Sequence, residues 1–126
     1  MNVFKKILIS FVIATISSTA FAVANPSYDE VRAAIDNTLA KVEEIKTGMD
    51  NGTSNEILVD MLTDARQLQK DIANNVLDLK RNQASNVLKQ VRAALLKNEQ
   101  ETAKELLAEA LNRYKEIKQL YATNHQ

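Results

Sequence analysis

From Val31 onward, apolar residues recur at three- and four-residue intervals: Val31, Ile35, Leu39, Val42, Ile45 and Met49. That interval follows the turn of an α-helix and gathers all six on one stripe. Just ahead stands Ser27-Tyr28-Asp29-Glu30, with the S-x-x-E spacing in which a hydroxyl and a carboxylate satisfy each other's backbone donors, so a helix is predicted to begin there. Asp50-Asn51-Gly52 supplies the turn that ends it. Thr53-Ser54-Asn55-Glu56 repeats the capping spacing, with Thr53 as N-cap, and Leu58, Met61, Leu62, Ala65, Leu68 and Ile72 follow as a second stripe. A third stripe runs through Val76, Leu77, Ala84, Val87, Leu88, Val91 and Leu95. Between the second and third stripes only Asn74-Asn75 favours a turn, and no Gly or Pro enforces it. A continuous helix through this point, giving three helices and a swapped dimer, is therefore the alternative. Asn98 to Glu101 make the last turn, and Thr102-Ala103-Lys104-Glu105 is predicted to cap a fourth helix with Leu107, Ala110, Leu111, Tyr114, Ile117 and Tyr121 inward.

Sliding the chain by 49 residues superposes Leu39 on Leu88, Val42 on Val91, Thr53 on Thr102, Glu56 on Glu105, Leu58 on Leu107 and Leu62 on Leu111. The chain reads as two similar helical hairpins. Four helices joined by short loops close most simply as an all-α, up-down-up-down antiparallel four-helix bundle.

The N-terminal residues follow a different pattern. Lys5 and Lys6 precede the apolar run Ile7 to Ile16, and small polar residues then lead to Ala20-Phe21-Ala22. These are the three parts of a cleavable export signal, so residues 1–22 are expected to be removed and residues 23–126 to form the helical domain. Ala22-Val23-Ala24 offers a second cutting frame two residues later. No later segment approaches the ~20 apolar residues of a spanning helix, so no membrane association is expected after cleavage. The location expected is periplasmic or secreted.

Composition then narrows the chemistry. All three Phe lie within the signal, there is no Trp or Cys, and the aromatics left are Tyr28, Tyr114 and Tyr121. Without cysteine there is no disulfide and no thiolate chemistry, so packing alone must hold the fold. Loss of Lys5 and Lys6 leaves 14 basic residues against 16 acidic, which gives no reason to expect nucleic acid or an anionic membrane as partner. His125 is the only histidine and stands next to the end, where chains fray. No nucleophile–base arrangement and no Gly-rich phosphate loop can be assembled, and no catalytic function is expected. Asn51-Gly52-Thr53 matches a glycosylation sequon, but Thr53 is better explained as a cap.

What does recur is carboxylate. Glu56, Asp60 and Asp64 stand four apart in the second helix, and Glu101, Glu105 and Glu109 repeat that spacing around the start of the fourth. Residues four apart share a helix face. Three acidic groups on one face, with no transition-metal ligand beside them, suit a weakly bound hard cation such as Ca²⁺ or Mg²⁺. The plainer reading, which the absence of His or Cys beside them favours, is a solvated face near a helix N-terminus, where carboxylates favour the macrodipole.

The first stripe, the Met49-Asp50-Asn51-Gly52 turn, the Glu56-Ile57-Leu58 to Leu62 segment and the parallel Glu105-Leu106-Leu107 to Leu111 segment together resemble the small metal-binding protein family. These are periplasmic bacterial proteins built from two repeated helical hairpins and named for binding divalent metals such as copper. The resemblance covers nearly all of residues 23–126 and implies a four-helix bundle in a periplasm-like compartment. Family members are rich in His at repeated helical positions, where this chain has residues such as Asp60, Gln67, Asn86, Gln90 and Glu109. Strong copper or nickel binding is therefore not implied for any residue here. The function expected is that of a non-catalytic bundle with at most weak divalent-cation binding. The alternative is a protein–protein interaction or structural module, with an unidentified protein or a second copy as partner.

Overall fold

A computed structural model describes residues 28–124. The export signal, both cleavage frames, Ser27 and His125 lie outside the described residues. Within them the chain forms four α-helices and no strand: α1 Tyr28–Asp50, α2 Asn55–Gln69, α3 Asp78–Leu96 and α4 Gln100–Asn124. Each helix packs on its successor in the chain, and α1 closes against α4. With short loops, that ring of neighbours is the up-down-up-down bundle. The largest interface joins α3 to α4 and the smallest joins α2 to α3.

The stripes meet in a single core. Val42, Ile45, Leu62, Ala65, Leu88, Val91, Leu107, Tyr114 and Ile117 are all essentially sealed from solvent. The two hairpin turns share one solution for stopping a helix. Gly52 N–H donates to the Met49 carbonyl at 3.2 Å and Thr53 N–H reaches back to Gly48 at 2.9 Å. With Gly52 at φ +78°, this is the Schellman ending that satisfies orphan carbonyls at a helix C-terminus. At the end of α3, Asn98 N–H donates to Leu95 at 3.0 Å and Glu99 N–H to Ala94 at 2.9 Å, with Asn98 at φ +60°. Asn is the side chain that best tolerates this left-handed position after Gly. Gly48 answers a different need, since a Cβ there would meet Leu58 Cδ2 at 3.0 Å.

These turns displace the caps expected from the sequence. Thr53 is not the N-cap of α2: it completes the end of α1, its N–H closing the Schellman bond, and α2 begins two residues later at Asn55. The cap is Ser54, whose hydroxyl accepts from Ile57 N–H at 3.4 Å, so Glu56 does not close a capping box. Thr102 does not cap α4 either. The second turn is one residue shorter, so Glu99 both ends the Schellman motif and offers the carbonyl that receives Ala103 N–H at 2.9 Å, which starts α4 at Gln100. Gly52 and Asn98 stand 46 residues apart, not 49. A helical stripe repeats every three to four residues, so sliding by one turn leaves apolar positions superposed while the turns fall out of step.

The break between α2 and α3 is real, and it is an organised segment. Lys70, Asp71 and Ile72 N–H donate to Gln67, Leu68 and Gln69 in tight i→i−3 bonds, unwinding α2. Asn74 Oδ1 then accepts from Val76 N–H at 2.9 Å and Leu77 N–H at 3.3 Å, which turns the chain into α3. Helix α2 has 15 residues against 25 in α4, and Ile72 and Leu77 fold under its end, both buried. Val76, expected in the third stripe, is instead 72% exposed, because the turn carries it away from the core. No helix among the described residues is long and apolar enough to cross a membrane.

Candidate functional site

Glu56, Asp60 and Asp64 lie along α2 with their side chains in solvent, and Glu101, Glu105 and Glu109 do the same along α4. Each trio keeps to one face, as the spacing requires, but the faces do not combine into a pocket. Successive members are about 6 Å apart along the axis and the outer pair about 12 Å apart, from a rise of about 1.5 Å per residue. A calcium ion holds oxygens at about 2.3–2.6 Å, so two neighbouring carboxylates can lean toward one ion and three in a row cannot. Among the described residues, no group of three or more His, Asp or Glu is placed to hold a metal ion.

The two faces differ in charge balance. Glu109 accepts from Arg113 Nε at 3.0 Å and stands 3.0 Å from Nη2, so its carboxylate is neutralised on its own helix. Glu56, Asp60 and Asp64 make no ion pair among the described residues. Glu56 also sits in the first turn of α2, where the exposed helix donors favour negative charge. The α2 face is thus the more open of the two to an external cation.

Polar groups that pattern reasoning missed lie elsewhere. Gln69 occupies the apolar register Leu58, Leu62, Ala65, Gln69, Ile72 and is buried, although Leu68 beside it is the residue the periodicity favoured. Its Oε1 lies 3.5 Å from the hydroxyl of Tyr114, the largest fully buried side chain, so one long polar contact links α2 to α4 through the core. Burial pushes the Tyr114 phenol above its ordinary value of 10.0, against the smaller opposing pull of the Arg66 and Arg81 charges. Arg81 Nη1 donates to the Ile72 carbonyl at 3.1 Å and approaches Asp78 at 3.5 Å, which fastens the connection to α3. A signal for Gln69 was present in the sequence, as a polar residue at a core register.

Asn55 was also missed. Its Nδ2 donates to the Leu95 carbonyl and to Asn98 Oδ1, both at 3.0 Å, and its Oδ1 accepts from Gln100 Nε2 at 2.8 Å. One side chain thereby ties the start of α2 to the end of α3 and the start of α4. At the opposite end of the bundle Tyr28 stacks on Tyr121 with ring centroids 5.1 Å apart, and Tyr121 Oη donates to the Tyr28 carbonyl at 3.4 Å. Burial first, then Tyr28 and Asp29, raises the Tyr121 phenol.

The surface of the described residues includes two hollows. One lies between α1 and the α2–α3 connection, bordered by Glu30, Asn37, Lys70 and Asp71 over an alanine floor; the other is a shallow patch on α4 around Glu105, Glu109 and Glu116. Neither presents an aromatic side chain, and the α4 patch takes in Glu105 and Glu109 of the acidic face together with Arg113. In comparisons with protein-family models, curated proteins and solved structures, the chain matches none.

Proposed function

We propose that this chain is a non-catalytic, exported helical-bundle protein, similar in build to the small metal-binding proteins, whose exposed acidic faces take up divalent cations weakly at most. The observation that carries this reading is the uncompensated α2 face of Glu56, Asp60 and Asp64, three carboxylates in solvent with no cationic partner among the described residues. The export signal read from Lys5 to Ala22 supports a periplasm-like location, where millimolar-affinity cation sites are a familiar class. Titration calorimetry of the chain beginning at Val23 with Ca²⁺, Mg²⁺, Zn²⁺ and Cu²⁺ tests it. Heat is expected only at millimolar ion, comparable for Ca²⁺ and Mg²⁺, and lost when Glu56→Gln, Asp60→Asn and Asp64→Asn are combined. No heat at millimolar ion removes the cation role.

A second reading, an interaction or structural module without metal, is favoured by a separate observation. Val76 and Leu79 are 72% and 69% exposed where α2 passes into α3, and Ile57 and Leu96 are exposed toward the other end of the same two helices. Solvent-facing apolar groups of this size mark contact surfaces when they cluster.

A further inference from the structure

The apolar seam of α2 does not stop where α2 stops. Leu58, Leu62, Ala65, Gln69 and Ile72, spaced 4-3-4-3, are all buried, and the next two steps of the same rhythm are Val76 and Leu79. These two are the most exposed large apolar residues of the described chain. Their spacing is that of an inward seam on a helix continued past Gln69, yet the turn at Asn74 throws them outward. A sequence whose local pattern specifies one path while the single chain takes another has a second arrangement available to it.

The segment between the helices holds no residue that bars that arrangement. Residues 70–77 contain neither Gly nor Pro. Lys70 and Leu77, at its two ends, already have helical backbone angles. The closed turn is held by Asn74 Oδ1 on the Val76 and Leu77 amides, by Leu77 N–H on the Asn74 carbonyl, by Arg81 on the Ile72 carbonyl and by the burial of Ile72 and Leu77. Parting the two hairpins opens the α2–α3 interface, the smallest of the four, together with the α1–α4 interface. Every contact between the hairpins, including Asn55 with Leu95 and Asp36 with Lys118, can be remade with the other hairpin of a second copy.

From this we propose that the chain also forms a domain-swapped dimer, in which α2 and α3 join through residues 70–77 into one helix and each bundle combines the first hairpin of one copy with the second hairpin of the other. Exchange of an identical element keeps the native contacts and alters only the hinge. Val76 and Leu79, unused by the single chain, then continue the α2 seam at the junction of the two bundles. The inference is independent of the cation reading and rests on none of its residues.

The test uses the chain beginning at Val23, which includes the whole described core, refolded from urea at high concentration and sized by sedimentation velocity. A cysteine-free chain allows the partner to be read directly: Asp36→Cys and Lys118→Cys, joined by a short bis-maleimide, link α1 to α4 within one chain in the closed monomer and between two chains in the swapped dimer. A fraction at twice the monomer mass, cross-linked between chains, is expected. Combining Asn74→Ala with Asn75→Ala removes the turn cap and installs the strongest helix former at four positions of the dimer, raising the dimerisation constant roughly tens of fold. Asn75→Pro acts oppositely. Asn75 is the second residue of the turn that Leu77 N–H closes on the Asn74 carbonyl at 3.0 Å, a place where Pro is favoured, and Pro there bars a continuous helix, so it is expected to leave a folded monomer. A single mass of one chain for both the parent and the double-alanine variant overturns the proposal. So does a dimer whose cross-links stay within each chain, since that is two closed bundles side by side.

Discussion

Tyr114 carries the clearest consequence at the scale of a single residue. Its ring is fully buried in the core and its hydroxyl has, among the described residues, only the long contact to Gln69 Oε1 at 3.5 Å. Burial raises the folded-state pKa above 10.0, so the contribution of the neutral phenol is complete below pH 10 and is lost as pH rises toward the folded value. Above pH 10 the unfolded chain releases this proton while the folded chain retains it, and stability falls by about 1.4 kcal/mol per pH unit from this residue. Urea unfolding between pH 9 and about pH 11.5, compared for the parent and Tyr114→Phe, reads the difference. The Phe variant is expected to lose stability less steeply by about that amount, at a cost near neutral pH of about 1 kcal/mol for the missing hydroxyl contact. Parallel pH profiles would show that the phenol is not shielded. The same residue scale explains why Gln69 was hard to assign. A stripe is judged by its apolar members, and Leu68 competed for the inward place one position away, half-buried in the event.

Among the elements, the helices were legible and their ends were not. The periodicity of Val31 to Met49 and of Leu107 to Tyr121 predicts α1 and α4 because burial of an apolar face is what stabilises a helix of this length. The caps failed for a reason outside the pattern. S-x-x-E and T-x-x-E spacings describe what a helix start can use, whereas the actual start is set by where the preceding helix releases the chain. Thr53 is held by the end of α1, and Glu99 ends one helix and begins another. Ser54→Ala is therefore expected to cost about 1 kcal/mol. Thr102→Ala, an exposed change inside α4, is expected to be neutral or stabilising by a few tenths, since Ala has the higher helix propensity. Urea midpoints followed by circular dichroism distinguish them, and a larger loss for Thr102→Ala would restore the cap at Thr102.

For the whole molecule, the question is what joins two hairpins into one body. The leucine and isoleucine seams supply most of the stabilisation, about 1.5–3 kcal/mol for each fully buried large side chain, but they are interchangeable under a shift of one turn. Directional contacts are not. Asn55, bonded to Leu95, Asn98 and Gln100, places the first hairpin at one register against the second. Asn55→Ala is expected to lower stability by about 1–2 kcal/mol, and a cycle with Gln100→Ala to show coupling of about 0.5 kcal/mol or more. Additive losses would mean that the two side chains act separately. The cross-helix ion pairs Lys80 to Glu116 and Asp36 to Lys118, both at 3.0 Å, are solvent-exposed and contribute little by comparison.

The amino-acid sequence by itself determined the class of fold and nearly all of the core, because each rests on local periodicity and on the burial of apolar faces. The same reading recognised that six carboxylates form two acidic faces, since spacing alone assigns a residue to a face. Tertiary structure decided which residues cap the helices, that Asn74 divides α2 from α3 within one chain, that Val76 points outward, and that Glu109 is matched by Arg113 while the α2 face has no such partner among the described residues. Those outcomes depend on distances between groups far apart in the chain or on competition for a single backbone donor. A pattern that repeats every turn is blind to both.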